Sequence, residues 1–107
     1  MWALHAGFLA EEVAVTVPSA VVAEAWRGGS RQVNLVRLLA LCEIEELTYE
    51  QARAAGVLAG KAEHDDVVYV SVVEGAMRRR DAVITSNPTH IRAIADAVRA
   101  RLTIETV

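Results

Sequence analysis

The chain has 107 residues, 53% of them hydrophobic and 23% charged, which fits one globular domain and excludes a disordered tail. Eleven Lys and Arg against 14 Asp and Glu give a formal charge of −3, which argues against nucleic-acid binding by bulk positive charge. The single cysteine, Cys42, excludes an internal disulfide framework and a Cys-rich zinc site, and points to a reducing compartment.

Every apolar run is broken by charge before the roughly 18 residues that a membrane span needs. The start of the chain lacks a basic stretch followed by an apolar one, so no signal peptide is expected. These features predict a cytoplasmic protein with no membrane partner. No repeat or Pro/Ser-rich linker divides the chain, so residues 1–107 are read as one domain.

Residues 1–10 read as a helix with no cap before it. The β-branched run at 13–17, ended by Pro18, reads as a buried strand. Ser19 can cap a helix over 20–26, and Gly28 with Gly29 stops it. Trp26 is expected in the core. Ser30 can cap a helix over 31–42, whose Val33, Val36, Leu39 and Ala40 recur three and four apart. Residues 43–47 alternate like an edge strand.

Thr48 and Gln51 have capping-box spacing, which predicts a helix over 49–61. Asp65 or Asp66 opens the next helix, running to about residue 80. Residues 82–85 form a short apolar strand. Asn87 followed by Pro88 fits a cap and first helical position, with a helix over 89–99 and a last strand over 102–106. Strands alternating with helices predict α/β architecture with parallel strands and sites at their carboxyl ends.

Glu24 and Asn87 follow such ends, and Asp66 stands beside Asp65 at a helix start. Glu24 can bind a hard cation such as Mg²⁺ or simply face solvent. Asp66 suits the positive end of its helix. Asn87 offers a neutral oxygen or a helix cap. Arg78, Arg79 and Arg80 can contact phosphate or offset the end of a helix dipole. His5, His64 and His90 share no metal-ligand spacing. No Gly-rich phosphate loop and no nucleophile–base arrangement stands out.

Three stretches carry a resemblance. They are Val-Pro-Ser-Ala-Val-Val-Ala-Glu-Ala-Trp-Arg-Gly-Gly at 17–29, Asp-Val-Val-Tyr-Val-Ser-Val-Val at 66–73 and Asp-Ala-Val-Ile-Thr-Ser-Asn-Pro at 81–88. In this order they resemble the PIN-domain family, and within it the VapC-type toxins of bacterial toxin–antitoxin pairs. The resemblance covers nearly the whole chain. It implies a three-layer α/β sandwich with a parallel sheet, and an endoribonuclease whose acidic cluster holds Mg²⁺ or Mn²⁺. It also implies RNA as substrate, an antitoxin protein as partner and a homodimer or higher oligomer.

Residue by residue, Glu24 matches the family's glutamate. Tyr69 stands where the family has an aspartate, and Asn87 where it has another. Asp66, one turn before Tyr69, can lean toward the same pocket. The catalytic and metal residues expected from the resemblance are therefore Glu24, Asp66 and Asn87. The usual first, central strand has no counterpart in this chain, which implies two half-sheets with unpaired edges. With so few carboxylates, the resemblance implies weak or absent cleavage. The alternative is a non-catalytic PIN-like module that binds an antitoxin-type partner or RNA.

Overall fold

The computed structural model describes residues 15–29 and 32–107. The expected helix over 1–10, the first residues of the strand over 13–17, and Ser30 with Arg31 lie outside these residues. Four strands and five helices follow one another among the described residues. They are β1 (Thr16–Pro18), α1 (Ser19–Ala25), α2 (Val33–Leu39), β2 (Glu43–Glu45), α3 (Tyr49–Ala62), α4 (Val67–Arg79), β3 (Val83–Thr85), α5 (Pro88–Ala97) and β4 (Ile104–Thr106).

The strands form two separate parallel pairs, β1 with β2 and β3 with β4. Register aligns Val17 with Ile44 and Ile84 with Glu105. The Val15 carbonyl accepts the Glu43 N–H at 2.9 Å, and the Val83 N–H donates to the Thr103 carbonyl at 2.9 Å. Backbone direction alternates along a parallel strand, so Thr16 and Ile84 turn their peptide groups to the opposite edges. Among the described residues no strand pairs with those edges.

α4 is the centre of the packing. It lies against α1, α3, α5, β1 and β3. Its sequence is rich in valine, which locally favours a strand. The Asp66 carboxylate decides otherwise by accepting the Val68 and Tyr69 N–H groups, and burial of Val70, Val73 and Ala76 along one face holds the helix. Val17, Ile91 and Ile94 complete the deepest core.

The Thr48 and Gln51 capping box forms as expected, with both reciprocal bonds present. Gly28 and Gly29 adopt left-handed backbone, φ 76° and 81°, just beyond α1. Three expectations are corrected. Ser19 does not cap α1; Pro18 occupies that position, and the Ser19 hydroxyl instead accepts the Leu47 N–H at 3.2 Å. Trp26 is 46% exposed, because α1 ends before it and the chain leaves extended. Val33 and Val36 are exposed as well, and only Leu39 of that stripe is buried.

Candidate functional site

Two strand ends converge. β1 passes straight into α1, since Pro18 has the extended backbone of a helix entry, φ −61° and ψ 141°. α1 then buries Val21 and leaves Glu24 exposed one turn later. At the end of β3, the Thr85 hydroxyl accepts the Asn87 N–H at 3.1 Å and tightens the turn into α5. α4 brings Tyr69 from the third side.

Glu24, Tyr69, Thr85, Ser86 and Asn87 line one groove, with Val21, Val72 and Ile91 as its apolar floor. Its volume is about 160 Å³. Asn87 precedes α5 at the cap position, but its backbone, φ −134° and ψ 83°, leaves the side chain without a capping bond. The amide is therefore not engaged as a cap, contrary to the simpler sequence reading.

Asp66 is absent from the groove lining. Its Oδ1 accepts the Val68 N–H at 2.9 Å and the Tyr69 N–H at 3.3 Å. Oδ1 thus serves the start of α4, and of the three residues expected to converge the groove lining brings together Glu24 and Asn87, beside Tyr69. Among the described residues the groove then offers one carboxylate, one amide and small hydroxyls. Mg²⁺ and Mn²⁺ need carboxylate charge to offset dehydration, and this donor set does not fit a resident ion of that kind. Among the described residues no three His, Cys, Asp or Glu side chains group as a metal centre.

Arg78 and Arg79, in the last turn of α4, are engaged in ion pairs. Arg78 binds Glu45 and Glu74, while Arg79 binds Glu45 at 2.8 Å and Asp81 at 2.7 Å. The Arg78 hydrogen bond, aided by the Arg79 charge, holds the Glu45 carboxyl below its usual range against the opposing effect of desolvation. Arg78 is itself raised by those carboxylates. This cluster ties β2 to α4, so phosphate binding there would first have to break it.

Sequence spacing missed one group altogether. His64 and His90, 26 positions apart, meet with Nε2 and Nδ1 separated by 3.0 Å. Tyr69 stacks on His90, ring centroids 4.7 Å apart and planes at 22°. His64 stands in the turn between α3 and α4 and His90 on α5, which packs against both helices, so the contact is tertiary and no local pattern could have signalled it. No helix among the described residues is long and apolar enough to cross a membrane. No protein-family model matches this chain, and no curated protein matches it.

Proposed function

We propose that this chain is a PIN-like module of the VapC type in which metal-dependent endoribonuclease chemistry is weak or absent. The observation that carries the reading is the shared groove of Glu24, Tyr69 and Asn87 at the carboxyl ends of β1 and β3. These are the positions that the resemblance assigns to the acidic site, and they lie together although far apart in sequence. The reading takes the two parallel pairs as halves of a three-layer sandwich. Its natural setting is the cytoplasm, with RNA and an antitoxin-type protein as partners.

Chemistry limits what the groove can do. Among the described residues Glu24 is its one carboxylate, and a phenol and an amide stand where charge would be needed. One carboxylate can orient or deprotonate a water, but it gives little charge to hold a Mg²⁺ ion against a phosphodiester. A second reading, a non-catalytic module that binds an antitoxin-type partner or RNA, is favoured by the engagement of Asp66 Oδ1 at the start of α4 and the absence of Asp66 from the groove lining.

Cleavage of a labelled single-stranded RNA in Mg²⁺ or Mn²⁺ tests the proposal. The wild type should cut near background. The Tyr69→Asp, Asn87→Asp double variant should bind Mn²⁺ by calorimetry ~10-fold or more tightly, the scale on which metal sites respond to lost or gained supporting groups. Vigorous wild-type cleavage that survives Glu24→Gln would overturn the assignment of this groove.

A further inference from the structure

His64 stands in the turn between α3 and α4, and His90 in the first turn of α5. The two rings are nearly perpendicular, at 87°, with centroids 5.2 Å apart. The Asp66 N–H donates to His64 Nδ1 at 3.2 Å. That nitrogen therefore carries the lone pair, and in a neutral ring Nε2 carries the proton. His64 Nε2–H then donates to His90 Nδ1 at 3.0 Å, and His90 keeps its own proton on Nε2.

We propose that this pair is a two-imidazole binding site for a borderline divalent transition metal of the Zn²⁺, Ni²⁺ or Cu²⁺ class. Imidazole nitrogens suit these ions, whereas Mg²⁺ prefers oxygen. A tetrahedral ion with metal–nitrogen bonds of about 2.0–2.1 Å holds its two nitrogens about 3.3 Å apart. The observed 3.0 Å needs to open by only a few tenths of an ångström. His90 already aims a lone pair into the gap. Tyr69, stacked on His90 and edge-on to His64, fixes both rings.

Binding replaces one proton position with the metal. The His64 proton leaves Nε2, and solvent returns one to Nδ1, so the ring stays neutral. The Asp66 N–H gives up its 3.2 Å bond to that nitrogen. His64 is half-buried and His90 exposed, so an ion can enter directly from water. Water fills the remaining coordination positions, since no third His, Cys, Asp or Glu completes a cluster among the described residues. The pair shares Tyr69 with the groove of Glu24 and Asn87, and the inference does not rest on what that groove does.

Titration calorimetry of the whole chain with ZnCl₂, and separately with MgCl₂, tests the inference. Zn²⁺ should bind one ion per chain, and Mg²⁺ should give no heat at this pair. His64→Ala and His90→Ala should each weaken Zn²⁺ by ~10-fold or more, while Glu24→Gln should leave it unchanged. Imidazole proton resonances provide a readout without any variant: those of His64 and His90 should shift together on Zn²⁺ addition. Zn²⁺ binding equal in wild type and both alanine variants, or His64 and His90 resonances unmoved by Zn²⁺, would overturn it.

Discussion

The Thr85 hydroxyl and the Asn87 backbone are joined by one bond, N–H to Oγ1 at 3.1 Å. Thr85 is 6% exposed, so its hydroxyl is withdrawn from water. Thr85→Val keeps the shape and the β-branch but leaves the Asn87 N–H without that acceptor. The variant should lose about 1 kcal/mol of stability, read from the urea midpoint, while Thr85→Ser should recover most of it. Equal midpoints for all three proteins would show that the turn does not rest on this bond.

The carboxyl of Glu45 is held below its ordinary value of 4.5 by Arg78 and Arg79. A group lowered in this way stabilises the fold above its unfolded value and loses that contribution as pH falls through the folded one. The Arg78 side chain is 37% exposed and the Glu45 side chain 24%, so solvent screens the pair. Glu45→Gln should therefore cost at most about 1 kcal/mol at neutral pH. Chemical denaturation at a series of pH values should show the gap from wild type shrinking as pH drops below 4.5. A gap constant down to strongly acid pH would remove the charge from the explanation.

Ser71 lies within α4, 5% exposed, and its Oγ has no hydrogen-bond partner among the described residues. Alanine there removes a buried hydroxyl and adds helix propensity. Ser71→Ala should raise stability by about 0.5–1 kcal/mol, seen as a higher melting temperature. A clear loss of stability instead would mean that the hydroxyl is satisfied in solution.

Thr16 and Ile84 direct peptide groups to strand edges that have no partner among the described residues. Unpaired edges recruit other chains. The protein should therefore form a homodimer or higher oligomer, and light scattering after size exclusion at low micromolar concentration should give at least twice the 11.6 kDa chain mass. A stable monomer with one cooperative transition would show that these edges are closed within the chain.

Local chemistry was readable in several short stretches, though not at Ser19, whose hydroxyl serves Leu47 instead of capping α1. The Thr48 and Gln51 capping box, the Asp66 cap and the order of strands and helices all depend on neighbours in sequence. Asn87 shows the limit. Its residue type suits a cap, yet whether it caps depends on backbone angles that α5 and β3 impose together. The valines at 33 and 36 show another: spacing reveals an apolar stripe but not what covers it. His64 and His90 lie further beyond reach, because their contact exists only once α5 packs against α3 and α4. Asp66 was legible as a cap and as a ligand, and its carboxylate serves the backbone.

Each parallel pair is closed by its own crossover, β1 to β2 through α1 and α2, and β3 to β4 through α5. Among the described residues no ladder bond joins one pair to the other. Amide protons in the two ladders should thus be guarded by separate local opening events, linked through the burial supplied by α4 and the packing of α3 against α5. Deuterium uptake should divide the strands into two exchange classes along the line between Arg79 and Asp81, with the slower class marking the half that keeps its hold on α4 after the other has let go.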